Sequence, residues 1–197
     1  MNMRNVAGEA LGHAADALGR LRDEADLDAI ECAAETVASA QLVITCGSGS
    51  SGFVAAKMAH SLCCIEQPAK FMAPAEAIHG GLGAVTSRDV VIMISRGGRT
   101  AELLPIIDVI EAKGATLIGV TENPESRLAH ASRVVLPMMV TRESDPLDIM
   151  ATNSNLVVGA LLDALLAAVM VRTDYKLEQF ALIHPGGAVG ARLNKKD

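Results

Sequence analysis

The sequence predicts an α/β fold, a three-layer sandwich around a five-stranded parallel sheet in flavodoxin-like order. Three observations carry this expectation. Several short runs are apolar at nearly every position, they alternate with segments of helical period, and two strand-to-helix turns are rich in glycine and hydroxyl side chains. A strand that is apolar on both faces must be covered on both, and crossover helices supply the cover. The 197 residues suit one domain with a sizeable core. Residues 1–197 are expected to form that domain, with helices over 1–40 and the sheet core and C-terminal helices over 41–197.

Leu11, Ala15, Leu18, Leu21 and Ala25 recur at helical spacing and predict one apolar face. Leu27, Ile30, Ala34 and Val37 predict another. Residues 42–46 (LVITC) form a short apolar run ending in glycine, a buried strand. GSGSSG follows, and 53–64 returns to helical period. Residues 69–73 predict a short second strand and 89–95 (DVVIMIS) a third. Arg96 to Arg99 make a turn. Thr100 suits the N-cap of a helix from Ala101 to about Lys113, with Gly114 as its stop. Residues 115–121 predict a fourth strand, broken by Asn123-Pro124. A short helix through Leu128 leads to a fifth strand at 133–137. The connection 138–155 is long, and long connections tend to line sites. Residues 156–171 are the most apolar stretch, but Asp163 interrupts them and they fall short of the roughly 20 residues that span a bilayer. They predict a core or interface helix.

Composition narrows the partners. Hydrophobic residues make up 50% of the chain and aromatics 2%. Scarce aromatics remove the stacking platforms that single-stranded nucleic acid needs. A formal net charge of −6 gives no global field for polyanions or anionic lipid. A phosphorylated ligand would then need a local pocket of N–H donors. Cys32, Cys46, Cys63 and Cys64 contain no C-x-x-C pair and read as reduced thiols. The N-terminus lacks the continuous apolar run of a signal peptide. A cytoplasmic location is expected, with no membrane or nucleic-acid partner.

The chemistry concentrates in two loops. Gly47-Ser48-Gly49-Ser50-Ser51-Gly52 follows the first strand, and Ser95-Arg96-Gly97-Gly98-Arg99-Thr100 follows the third. Glycine lets backbone approach an anion closely, and a helix N-terminus adds free N–H donors and a favourable dipole. One such loop is also compatible with a tight turn capped by hydroxyls. The first resembles the dinucleotide fingerprint, with Glu66 near the spacing of its ribose-binding acid. Two loops at neighbouring strand ends favour phosphate. Ligands of such sheets bind beyond the carboxyl ends of the strands, where the strand order reverses.

The chain resembles the SIS (sugar isomerase) domain of the arabinose-5-phosphate isomerase family, in its short form without CBS domains. The motifs are GSGSSG at Gly47, PAEAIHGGLG at Pro74, SRGGRTAELL at Ser95, TENPESRLA at Thr121, ESDPLDIMATNS at Glu143 and FALIHPGGAVGARL at Phe180. They extend without gaps from about residue 42 to 193. The resemblance implies interconversion of an aldose phosphate and a ketose phosphate through an enediol; no cofactor and no metal are expected. A non-catalytic sugar-phosphate sensor and an isomerase of another phosphosugar, such as a hexulose phosphate, are the alternatives. It also implies site residues. Glu102, Glu143, His184 and His79 match the family's catalytic positions, with a glutamate as base and the histidines handling ring opening or hydroxyls. Ser48, Ser50, Ser51, Ser95, Gly97 and Thr100 are the candidates for holding phosphate.

Each of these positions has a plainer reading. Glu102 in a first helical turn would be stabilised by the dipole alone, by about 0.3–1 kcal/mol. Glu143 lies in a charged loop, and both histidines lie in loops beside glycine or proline. His13, His60 and His130 fall in no motif. Two departures from the family stand out: Ser50 replaces its first-loop lysine, and Ala73 replaces a histidine linked to metal binding. Losing a charge aimed at the transition state costs about 2.7–4 kcal/mol. Arg96 and Arg99 are the nearest cations in sequence. The apolar 156–171 helix and the two-faced N-terminal helices predict a homo-oligomer, a dimer of dimers.

Overall fold

Valine and isoleucine build the sheet. In this computed structural model, which describes residues 2–185, β1 (Val43–Gly47) and β3 (Val90–Ile94) are buried at every position. β2 (Ala69–Phe71), β4 (Thr116–Thr121) and β5 (Val134–Pro137) complete a parallel sheet of order β2-β1-β3-β4-β5. All five strands stand where the apolar runs predict them. Along β3, Ile92 and Ile94 enter one apolar core while Val91 and Met93 enter another. A strand with no polar face is what a sheet covered on both sides requires.

Helices supply the two covers. α1 (Met3–Glu24), α2 (Leu27–Ala38), α3 (Ser50–Cys63) and α7 (Asn153–Arg172) close one face, where Met58, Leu62, Leu162 and Leu165 are buried with Ile92 and Val120. α5 (Leu104–Ala112) and α6 (Arg127–Ala131) close the other through Ile106, Ile107, Ile110 and Leu128. α4 (Pro74–Ile78) and a 3₁₀ turn (Gly81–Ala84) connect β2 to β3. α8 (Leu177–Ile183) buries no residue.

Three expectations shift. α5 begins at Leu104 rather than Ala101, because Pro105 occupies its first turn and the Thr100 hydroxyl is engaged by Ser95. Glu102 therefore lies in the turn before the helix. α3 starts earlier than expected, at Ser50, so Ser50 and Ser51 of the first loop fall in its first turn. On α1 only Leu21 is buried, and Leu11 is 74% exposed, since nothing else in the described chain packs on that face. α7 is long and apolar enough to cross a membrane by length and composition, but Val157, Leu161, Leu162, Leu165 and Val169 are buried in the core.

Candidate functional site

The strand order reverses between β1 and β3, and the two glycine-rich turns leave the carboxyl ends of these strands. In the first turn, Gly49 caps α3 with φ 57°, a left-handed conformation that favours glycine. Gly52 follows at close quarters, where a Cβ would stand 2.8 Å from the Gly47 carbonyl oxygen. The N–H groups of Gly49, Ser50 and Ser51 donate to no group among the described residues. They are the orphan donors of a helix start, aimed beyond the sheet.

The second turn is closed by Gly98 N–H donating to the Ser95 carbonyl at 3.0 Å. Gly98 has φ 62°, and a Cβ there would collide with the Ser126 hydroxyl. The Ser95 and Thr100 hydroxyls lie 2.9 Å apart and brace the loop from inside. The N–H groups of Gly97, Arg99 and Thr100 find no partner among the described residues. Two sets of uncommitted donors thus face the reversal point from neighbouring strand ends.

The two candidate carboxylates occupy different surroundings. Glu102 is exposed and accepts one hydrogen bond among the described residues, from the Ser48 hydroxyl at 2.7 Å, which joins the two turns. Glu143 is buried. Its Oε2 accepts from Thr152 N–H at 2.9 Å, Ser154 N–H at 3.0 Å and the Thr152 hydroxyl at 3.2 Å. It thereby caps α7, whose own N-cap side chain makes no capping bond. Its Oε1 accepts from Arg96 Nη1 at 3.0 Å. Burial pushes the Glu143 carboxyl up, but the hydrogen bonds from Ser154 and Thr152 outweigh it and leave it below its ordinary value. Arg96 also donates from Nε to Glu122 Oε2 at 2.8 Å.

The first turn divides two cavities. One, of about 240 Å³, is lined by Ser50, Ser51, Arg96, Glu143, Ser154 and Asn155 with apolar walls from Val54, Ile94, Met138 and Val158. The other, of about 510 Å³, is lined by Ser48, Gly49, Phe53, Pro74, Ile78 and Glu102. The connection 138–155 lines the first, as its length predicts. The expected base pair is therefore split, Glu143 on one side and Glu102 on the other. His79 is exposed, follows Ile78, which lines the larger cavity, and makes no hydrogen bond among the described residues. His184 stands elsewhere. It stacks on Phe180 with ring centroids 3.7 Å apart, and its helix is held by Gln179 donating to Glu66, just past the far end of α3. α3 spans 14 residues, so about 20 Å separates that end from Ser50. Glu66, placed there, is also remote from the glycine turns. The glycines after His184-Pro185 in the HPGG motif lie outside the described residues.

Sequence reasoning passed over Glu122, Thr152, Ser154 and Asn155. The run Thr152-Asn153-Ser154 is a helix-start signal that was available; the partner it caps with, nine to eleven residues back, carries no local signature. Among the described residues no three His, Cys, Asp or Glu side chains converge as a metal site needs.

Residues 37–168 match the SIS domain family. Arabinose 5-phosphate isomerase KdsD of Pseudomonas aeruginosa is 38% identical over 187 residues, which is 95% of this chain and 57% of that protein. The chain thus spans little more than half the length of this relative. A candidate sugar-phosphate isomerase of Listeria monocytogenes superposes with a TM-score of 0.90 at 38% identity, over 94% of this chain and all of that one. An E. coli CFT073 protein in complex with arabinose 5-phosphate superposes with a TM-score of 0.87 at 30% identity, over 94% of this chain and 100% of that one. With the glycine turns set at the reversal of a 2-1-3-4-5 sheet and the match running through both, this chain belongs to the SIS domain family.

Proposed function

We propose that this protein is an aldose–ketose isomerase of a phosphorylated sugar, of the arabinose 5-phosphate to ribulose 5-phosphate kind. One observation carries the reading: two turns with uncommitted N–H donors meet at the β1–β3 reversal, with a carboxylate on each side. The phosphoryl group takes uncommitted N–H donors of the turns with the hydroxyls of Ser50 and Ser51, while the Ser48 hydroxyl is held by Glu102 and those of Ser95 and Thr100 by each other. The likeness to KdsD and to the protein in complex with arabinose 5-phosphate supports the substrate class.

Glu102 suits the base. Its Oε1 is uncommitted among the described residues, whereas both oxygens of Glu143 already accept hydrogen bonds. The carboxylate takes the proton from C2 while an acid protonates O1, giving an enediol. The same proton then returns to C1 as O2 gives up its own, leaving the ketose. His79 is exposed next to Ile78 of the Glu102 cavity and suits the oxygen protons.

His184 supports this chemistry only from a second copy, because its own site is a helix length away. α8, which buries nothing, and exposed Phe53 at 80% and Leu147 at 74% favour a homo-oligomer, a dimer of dimers. Free thiols at all four cysteines favour the cytoplasm.

The test is conversion of arabinose 5-phosphate to ribulose 5-phosphate, followed by a panel of pentose, hexose and amino-sugar phosphates. Thermal stabilisation by phosphorylated sugars and not by free sugars is expected. Stabilisation without turnover of any member would move the protein to sugar-phosphate sensing, a reading favoured by Ser50 standing where the family carries lysine.

A further inference from the structure

N–H donors and hydroxyls offer a phosphate dipoles but no net charge. At this end of the sheet Glu102, Glu122 and Glu143 stand with Arg96 and Arg99 of the second turn. Among the described residues one cation lines the 240 Å³ cavity beside Ser50 and Ser51, and it is Arg96. Lys57, on the neighbouring helix, is committed to Asp163.

The guanidinium is held asymmetrically. On the Nη1 side is Glu143, whose side chain is 4% exposed and is fixed to the start of α7 by Thr152 and Ser154. On the Nε side is Glu122, whose side chain is 37% exposed and makes no other hydrogen bond among the described residues. The Arg96 side chain is 43% exposed, and its Nη2 is uncommitted among the described residues. Two carboxylates on one guanidinium leave the group of three with a net charge of −1. Glu143 cannot move away without uncapping a helix, but Glu122 can. Each carboxylate takes one bond from the guanidinium, whereas a phosphoryl group can take two, through Nε and the uncommitted Nη2, and brings more charge.

Resting on the phosphosugar reading, we propose that Arg96 is the cation that receives the phosphoryl group, and that Glu122 is a releasable partner that lowers its affinity. Glu143 acts as a positioning residue that keeps the guanidinium facing the cavity. Phosphate binding exchanges the Glu122 contact for the ligand and retains the Glu143 contact. No covalent step is involved.

The experiment measures the affinity of inorganic phosphate for the full chain by calorimetry, in the unmodified protein, Glu122→Gln, Arg96→Gln and Arg96→Lys. Glu122→Gln should tighten phosphate by about two- to fivefold, the range expected for releasing an exposed ion pair. Arg96→Gln should weaken it by about tenfold or more. Arg96→Lys should fall between, because an ammonium keeps the charge but not the fork. With an aldose phosphate the Glu122→Gln change should appear as a lower KM.

Unchanged or weaker phosphate binding in Glu122→Gln overturns the proposal, as does a folded Arg96→Gln that binds like the parent, or no phosphate signal in any of the four. Should Arg96→Gln not fold, the Glu122→Gln arm decides alone. Phosphate affinities that move as stated while no sugar phosphate turns over would sink the isomerase reading and keep this one. Turnover with affinities indifferent to both positions would do the reverse.

Discussion

Glu102 and Glu143 are the same amino acid put to different work by their neighbours. Glu143 spends its oxygens on Arg96, Thr152 and Ser154, while Glu102 accepts a single bond from Ser48. Their substitution should separate accordingly. Glu102→Gln should lower kcat by about 10²–10⁴-fold, the usual worth of a general base, with little change in thermal stability. Glu143→Gln should destabilise the fold by about 1–3 kcal/mol, because it leaves Arg96 and two helix N–H groups poorly matched. Steady-state kinetics and thermal melts on both variants check this; a Glu143→Gln protein as stable as its parent would refute the division of roles. The serine turns were legible in the sequence because turn chemistry is local: glycine and hydroxyls announce themselves within six residues. The inequality of the glutamates was not, since the guanidinium that holds Glu143 comes from 47 residues away. Arg96 and Arg99 were both legible as candidates for the charge missing at Ser50, but not which of them the fold sets beside it. Arg96 and Ser50 line one cavity, so Ser50→Lys would place a second cation where one already stands. It should therefore raise kcat/KM for arabinose 5-phosphate by less than about tenfold, well short of the hundred- to thousandfold worth of a missing preorganised charge. A gain of that larger size would show that Arg96 does not supply the charge.

At the scale of elements, the five strands were legible because apolar runs with no polar face have few alternatives to a covered parallel sheet. The start of α5 was not, because Thr100 finds Ser95 across the turn before it can cap a helix, and Pro105 decides the matter. Nor was the loop 143–152 open to reading, although it shapes a wall of the cavity. It is organised by its own carboxylates. Asp145 accepts N–H bonds from Leu147, Ile149 and Met150, and Asp148 accepts from Glu143 N–H while holding φ 57°, a left-handed conformation unusual outside glycine. For Asp145, desolvation raises the carboxyl and the bonds from Met150, Leu147 and Ile149 more than reverse it; Glu143 is lowered in the same way. A carboxyl lowered in the folded state adds stability that is complete above its unfolded value and lost as pH falls through the folded one. Thermal stability should therefore hold steady down to about pH 4.5 and decline below it, and Glu143→Gln or Asp145→Asn should flatten that decline. Melting temperatures from pH 7 to pH 3 on the three proteins measure the slopes. Parallel slopes would mean that the acid sensitivity lies in other carboxylates.

At the scale of the whole molecule, the described chain is well packed around its sheet and poorly covered at its margins. α1 buries Leu21 and leaves Leu11 and Leu18 outward, α8 buries nothing, and Phe53 projects beside the cavity that holds Glu102. The apolar period of α1 was legible, but which molecule covers it cannot be written in one chain's helical spacing. His184 is the sharpest case, because the family resemblance puts it in one site with Glu102 and the fold puts a helix length between them. If both serve one reaction, they come from two copies. That consequence is testable without knowing the shape of the assembly. Glu102→Gln and His184→Ala should each be nearly inactive alone. Mixed by co-expression, they should regain activity, because a site built from the core of one copy and the histidine of another is intact when the core comes from His184→Ala and the histidine from Glu102→Gln. Random association makes about a quarter of sites intact, so about 25% of unmodified activity is expected if each site draws on two chains. Solution scattering should show an oligomer for each protein, and a monodisperse monomer at micromolar concentration would remove the premise. A mixed oligomer that forms but stays inactive would mean that His184 serves its own chain, whereas a His184→Ala protein that keeps its activity alone would mean that His184 takes no part in the reaction, which would leave His79 as the remaining histidine candidate.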